Sequence, residues 1–427
     1  MTTTPSLALA NANTHYVDNV MQLSRSHKVV ARNDICDERG IKLISKGSQL
    51  DSTMRERLVS FKLRQPLESS LATEKGIDNG RLVREAESLL DEIPALAALF
   101  QATGTKNQAL AALRELKLDN VCTTVLSMGE ENGGKVLRHN IQAALTAVAF
   151  GSHLQLDHNT LRDLALVGLL HDIGELYINP EFRNPTRPLT PEEWKHTAAH
   201  PRIGQIVLKE TTKYSSAAAL AIDEHHERSN GFGYPRRLHN AKLSQMGKIM
   251  LVSEVLCGIF SKPGCAMKRA PLAFKVIPGE YPPEIVSLIS SAYRHSPPAT
   301  ALEDEKKVRL AARIIHIMRN IAAALAPTSE PPAIILSVPA AAALVSQTRD
   351  RLLMLQRAMY ATGLSSFSNP EMADEDVSHI DLEIETLIFE IEWRLRELSR
   401  QVILDMLGLP QEQQKFLTIL AFCMTAE

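Results

Sequence analysis

From Leu161 to Leu170 the chain is apolar almost all round, and it then reaches His171-Asp172. A helix without a polar face must lie inside a bundle of other helices, so this segment predicts a mainly α domain built around it. It also delivers an imidazole and a carboxylate, side by side, to one end of a buried helix. Further segments repeat the device. Leu189-Thr190-Pro191-Glu192-Glu193 reads as a helix start, with Thr190 as N-cap, Pro191 in the first turn and Glu193 at the capping-box position. The helix that follows is expected to carry His200. Ser216 to His226 reads as another helix, stopped by the Gly231 and Gly233 turn. Lys248 to Phe260 is a further apolar helix and carries Glu254.

Imidazole and carboxylate are the ligand set of hydrolytic transition-metal sites. A phosphodiester hydrolase can use two cations ~3.5–4 Å apart, each held by several N or O ligands on rigid elements. This chain supplies such a set: His139, His171, Asp172, His200, His225, His226 and Glu254. Asp172, adjacent to His171, can bridge two metals. Glu254 can complete the second. The remaining histidines, such as His153, His158, His196, His239 and His316, have no such company and read as structural.

Composition limits the alternatives. Lys plus Arg number 47 and Asp plus Glu 49, for a net charge of −2, so the chain has no basic surplus of the kind that binds nucleic-acid polymers. Phosphate recognition must be local. The five cysteines are scattered without a CxxC, which fits reduced thiols in a cytosol. Met1 to Asn13 lacks the charged and apolar regions of a signal peptide. No apolar run approaches the ~18 residues of a membrane helix. The expectation is a soluble cytoplasmic protein.

Around the helical core, residues 1 to about 15 are expected to be disordered. Lys28 to Ile44 reads as a hairpin turning at Asp37-Glu38-Arg39-Gly40, followed by a short helix to Leu63 that Asp51 or Ser52 could cap. The expected organisation is a small α+β N-terminal module over 1–78, a metal-binding helical domain over 79–326 and a helical C-terminal extension over 327–427. Residues 296–304 and 326–339, rich in Pro and Ala, read as linkers. Ile384, Ile388, Ile391, Leu395, Leu398 and Val402 form a heptad stripe, either the core of a C-terminal bundle or the seam of a homodimer.

Three strings together carry a family resemblance: His171-Asp172-Ile173-Gly174; Leu189-Thr190-x-Glu192-Glu193 leading into His200-Pro201-x-x-Gly204; and His225-His226-Glu227-x-x-x-Gly231-x-Gly233-Tyr234-Pro235. Over roughly residues 110 to 290 the chain resembles the HD-GYP phosphodiesterases, a branch of the HD hydrolases. The resemblance implies a helical domain with an iron or manganese site, zinc, magnesium or nickel being the other candidates. It implies hydrolysis of cyclic di-GMP to the linear dinucleotide and on to GMP. It gives His139, His171, Asp172, His200, His225 and His226 ligand roles, with His171, Asp172 and Glu175 at the reaction. Gly231, Gly233, Tyr234 and Pro235, with Arg228, Lys268 and Arg269, would face substrate.

The chain also departs from that family. Glu175 stands where lysine is usual and reverses the charge expected near the substrate phosphate. Asn230 replaces an aspartate, Ser253-Glu254 replaces Ala-Asp, and Lys135 stands where some members carry the glutamate of a third metal. The expected site therefore holds two metals. A degenerate protein that binds a cyclic dinucleotide without hydrolysing it, and reports to a signalling partner, is the alternative. An HD hydrolase acting on another phosphate ester is a third reading.

Overall fold

The structure, a computed structural model, describes residues 12–131, 133–183, 189–261, 266–294, 304–364 and 381–425. The chain opens with α1 (Thr14–Leu23), β1 (Lys28–Ala31), β2 (Ile35–Cys36), β3 (Lys42–Ile44), α2 (Arg55–Ser60) and β4 (Leu71–Glu74). Helices follow almost without interruption: α3 (Asn79–Glu92), α4 (Pro94–Thr103), α5 (Lys106–Arg114), α6 (Asn120–Glu130), α7 (Lys135–His153) and α8 (His158–Leu170). Next come α9 (Pro191–Ala198), α10 (His200–Thr211), α11 (Ser216–Glu224), α12 (Gln245–Phe260), α13 (Ala266–Ala273) and α14 (Pro283–Ala292). The chain closes with α15 (Asp304–Ser329), α16 (Ala333–Leu336), α17 (Pro339–Ala361), α18 (Asp381–Met406) and α19 (Gln411–Thr425). The fold is mainly α, as its sequence pattern requires.

The N-terminal region departs from expectation at two points. Residues 1–11 of the segment expected to be disordered lie outside the described residues, and residues 12–15 are ordered. The Asn13 side chain accepts hydrogen bonds from the His15 and Tyr16 amides at 2.9 and 3.1 Å, and the helix it caps buries Tyr16, Val17, Val20 and Leu23. The expected hairpin is also only half local. β2 pairs antiparallel with β3 across the Asp37–Gly40 turn, whereas β1 pairs with β4, Lys28 opposite Glu74 and Ala31 opposite Leu71. Asp51 does cap the short helical segment, its carboxylate accepting from the Thr53 amide at 2.9 Å.

The chain forms two compact units. One comprises residues 1–188, 196–262 and 281–292; the other comprises 189–195, 263–280 and 293–427. In the first unit α7 and α8 are the central pair. α7 is buried along nearly all of Asn140 to Gly151 and α8 from Leu164 to Leu170. The amide of Asn140 donates to the Leu169 carbonyl at 3.0 Å, tying the two helices together beside His171. The N-terminal module shares this unit. The Tyr16 ring stacks on Tyr177 at 5.0 Å, the Tyr177 hydroxyl donates to Glu68 at 2.6 Å, and Asn19 donates to the Leu176 carbonyl at 3.0 Å. These units cut the chain differently from segments 1–78, 79–326 and 327–427. Apolar burial crosses the boundaries at 78 and 327.

The second unit is a helical bundle. Leu310, Ile314, Ile317 and Ile321 of α15 share one apolar cluster with α17, α18 and α19. The expected linker at 326–339 is instead mostly helical: α15 continues to Ser329, Ala333–Leu336 forms a turn of helix around buried Ile335, and Pro339 starts α17. Proline at a first helical position costs nothing, because that amide has no partner to lose. The other expected linker, 296–304, lies almost wholly outside the described residues. The heptad stripe of α18 is buried within this bundle, with Ile388, Ile391 and Val402 fully covered. The stripe is therefore intramolecular core. Among the described residues no helix is long and apolar enough to cross a membrane.

Candidate metal centre

Asp157 caps α8, its carboxylate accepting from the Asn159 and Thr160 amides. The helix then runs to Leu170, so His171 falls on its C-terminal cap and Asp172 on the turn beyond. Thr190 and Glu193 form the expected capping box, with reciprocal bonds of 3.3 and 2.8 Å. His200 is not on that helix, however. α9 ends at Ala198, and His200 is the first residue of α10. α11 ends at Glu224 and leaves His225 on its cap. Helix ends thus supply His171, Asp172, His200, His225 and His226. His139 and Glu254 come from within α7 and α12.

These seven residues meet as two clusters. Asp172, His200, His225 and His226 form one; His139, His171 and Glu254 form the other. In each, the potential ligand atoms lie within 4.8 Å of one another. His200 and His225 approach at 3.1 Å between Nε2 atoms, and His139 and His171 at 3.3 Å. Glu254 Oε2 lies 3.2 Å from both His139 and His171 Nε2. Asp172 spans the pair. Its Oδ2 is 3.1 Å from His171 Nε2, and its Oδ1 is 3.4 and 3.5 Å from His200 and His225 Nε2.

The tautomers follow from the backbone. His171 Nδ1 lies 2.8 Å from the Gly168 carbonyl, His200 Nδ1 2.8 Å from the Thr197 carbonyl and His225 Nδ1 2.6 Å from the Ile222 carbonyl. A carbonyl only accepts, so each Nδ1 carries the proton and each neutral ring turns a bare Nε2 lone pair inward. Lone pairs and carboxylates facing each other at these distances repel unless a cation or protons lie between them. Glu254 Oε2 is a buried oxygen with no hydrogen-bond donor among the described residues. The donor set fits divalent transition metals of intermediate softness.

Electrostatics agree. Burial disfavours a charged imidazole at His171, but Asp172 and Glu254 outweigh it and raise that pKa; Glu254 does the same for His139. Burial lowers the pKa values of His225 and His226. Asp172 and Glu254 stay ionised against their own burial because histidines surround them. The pocket thus seeks positive charge, and protons would compete with metal for it as pH falls. Glu175 differs from its neighbours. Burial first, and then the Asp172 charge, push its carboxyl up to about 7. The full reversed charge expected from its position is therefore only partial at neutral pH.

The loop after the paired histidines closes one side. Tyr234 stacks on His226 at 4.7 Å, and its amide donates to the His226 carbonyl at 3.1 Å. Gly233 is packed so tightly on Glu227 that a Cβ there would lie 2.3 Å from the Glu227 backbone. Asn230 keeps the turn in place of the usual aspartate, accepting from the Phe232 amide at 3.1 Å. Arg228, expected to face substrate, is 6% exposed; it donates to the Glu227 carbonyl and lies over the Tyr281 ring at 5.4 Å. Lys268 and Arg269 fall on α13, in the second unit.

Sequence reasoning gave Glu227 no role, although it stands inside the His-His-Glu string. Its carboxylate accepts from the Arg236 and Leu238 amides at 2.7 and 2.9 Å and so folds the loop back. Glu224 does similar work, accepting from the Ser244 amide and hydroxyl and from Arg236. The adjacency of three ionisable residues in one string was the available signal.

Residues 120–262 match the HD domain family. His171-Asp172 and Gly233-Tyr234-Pro235 both lie inside that span. A cyclic di-GMP phosphodiesterase of Pseudomonas aeruginosa is 29% identical over 123 residues, 29% of this chain and 30% of that protein. A 3′3′-cGAMP-specific phosphodiesterase of Vibrio cholerae is 29% identical over 92 residues, 22% of this chain and 20% of that one. The match thus spans less than a third of the length of either relative. Among solved structures, an HD-GYP-like protein of Bdellovibrio bacteriovorus aligns over 63% of this chain and 94% of its own, at 14% identity and a TM-score of 0.35.

Proposed function

We propose that this protein is a metal-dependent phosphodiesterase that opens cyclic di-GMP to the linear dinucleotide and carries it on to GMP. The observation that supports it best is the division of Asp172 between two ligand clusters, one carboxylate oxygen toward His171 and the other toward His200 and His225. On this reading His139, His171 and Glu254 hold one cation, and His200, His225 and His226 hold another. Asp172 holds both. Two divalent cations, iron or manganese first, would generate the nucleophile from water at neutral pH and neutralise phosphate charge.

The chain's own residues do the rest. The Nδ1 bonds to Gly168, Thr197 and Ile222 fix three imidazoles before substrate arrives, so little reorganisation is needed during reaction. Tyr234, held on His226, offers a ring and a hydroxyl to an incoming nucleotide. Glu175, poised near 7, can accept or give a proton beside the phosphate. The resemblance to proteins named as cyclic di-GMP phosphodiesterases supports the substrate class. Glu175 in place of lysine and the inward turn of Arg228 favour a second reading, a non-catalytic cyclic-dinucleotide sensor acting through a signalling partner.

The test is anaerobic purification, quantification of bound metal and assay of the same sample for linear product. Asp172→Ala is expected to cut metal content from about two per chain and to lower turnover by more than ~100-fold, beyond the loss typical for an outer partner of a metal ligand. Undiminished metal-dependent turnover in that variant would sink the mechanism. Full metal occupancy with tight nucleotide binding and no product would select the sensor.

A further inference from the structure

Within the first unit a second cavity of ≈ 530 Å³ opens between the N-terminal module and the ends of α6, α8 and α10. It is well removed from the clusters. Thr211 on its wall and ligand His200 occupy opposite ends of α10, roughly 16 Å apart at about 1.5 Å per residue. Arg162 precedes His171 by nine residues along α8 and its cap, about 14 Å on the same rise.

Its chemistry is divided. The interior is apolar, with Val121 and Leu166 buried in its floor beside the Tyr214 ring. Four cations stand at its rim: Arg32, Lys117, Arg162 and Lys213. Three acids line it too, each held by a local hydrogen bond but still charged, so four cations against three acids leave the lining with a net charge of +1. Asp119 caps α6 through the Cys122 amide at 2.9 Å, Asp163 accepts from the Ser215 hydroxyl at 2.7 Å, and Glu115 lies 2.7 Å from His158 Nε2. Among the described residues the four cations make no ion pair with a carboxylate. Arg32 and Arg162 face only the neutral amides of Asn120 and Asn159. The Tyr214 hydroxyl is held between the Lys117 carbonyl and the Asp119 amide, at 2.7 and 3.1 Å, so the ring is fixed before any ligand arrives.

We propose that this cleft is a second ligand site, one that takes a nucleotide. An apolar floor with a fixed aromatic ring suits a flat base, and the unpaired cations at the rim suit its phosphate. The volume falls within the ~300–1,000 Å³ of small-molecule sites. Inorganic phosphate would satisfy the rim and leave the floor empty. The occupant would touch α8 and α10 at the ends opposite His171 and His200.

Isothermal titration of the full chain, stripped of metal with EDTA, with GMP, AMP and pyrophosphate tests this without reference to hydrolysis. One nucleotide per chain is expected, bound as well by Asp172→Ala as by the parent and at least tenfold weaker in a Lys117→Ala/Lys213→Ala double variant. Both lysines are exposed, so the variant should keep the parent's melting temperature, and its phosphodiesterase assay reports separately on the metal centre. Three outcomes overturn the proposal: no nucleotide binding at millimolar concentration, binding lost in Asp172→Ala but kept in the lysine variant, or pyrophosphate bound as tightly as GMP.

Discussion

At the scale of single residues, the convergence of the candidate ligands was legible because their chemistry is local. Histidine and carboxylate at the ends of apolar segments have few alternative uses, and all seven expected ligands fall in the two clusters. Glu254 is instructive. It is a methylene longer than the aspartate it replaces, and its Oε2 lies 3.2 Å from two imidazole nitrogens. Glu175 was harder to read, since its charge depends on burial that sequence does not display. With a pKa pushed up to about 7, it is mostly neutral at pH 6 and mostly ionised at pH 8. Its repulsion of a phosphodiester should therefore grow across that interval. In metal-stripped protein, Glu175→Gln is expected to tighten cyclic di-GMP binding several-fold at pH 8 and to change it little at pH 6. Calorimetric titration at both values checks this, and an equal effect at the two would refute the assignment.

At the scale of elements, two helix starts were readable from their caps: Thr190 with Glu193, and Asp51. Helix ends were less so. His200 was assigned to the helix begun at Pro191, but the chain breaks at Ala199 and starts again. The break is tied to a contact distant in sequence. Gly174, in the turn after Asp172, lies against the His200 carbonyl, where a Cβ would come within 2.0 Å of the oxygen and 2.9 Å of the Gly204 amide. Gly174→Ala should push α10 away. It is expected to cost about 1–3 kcal/mol, as overpacking does, and to deplete metal from the cluster that includes His200. Thermal melting with metal analysis would show this; unchanged values for both would mean the turn can yield.

At the scale of the whole molecule, the division into units was not legible. Strand β1 finds its partner some forty residues away, and the N-terminal module joins the unit of the metal centre through Tyr16, Tyr177 and Glu68. The environment of Glu68 has a thermodynamic consequence. Burial raises its pKa, Glu210 adds to the rise, and the Tyr177 hydroxyl and a backbone amide only partly offset it. Between the unfolded value and that raised value the native state holds a proton that the unfolded chain has released. Stability from this group is thus present at low pH and lost as pH rises through the folded pKa. Glu68→Gln should flatten that loss, gaining stability relative to the parent at pH 8 and not at pH 4. Chemical denaturation at both pH values checks it, and parallel pH profiles would exclude the effect.

The sequence by itself determined the mainly α class, which side chains converge as candidate metal ligands and the C-terminal apolar stripe. Each depends on residue type and short spacing, which survive any arrangement of the rest. Only the tertiary structure decided which imidazoles share a cluster, that Asp172 faces both, that Arg228 turns inward and that the α18 stripe is consumed within its own bundle. Those depend on contacts between segments far apart in the chain, and local pattern does not encode how such segments meet.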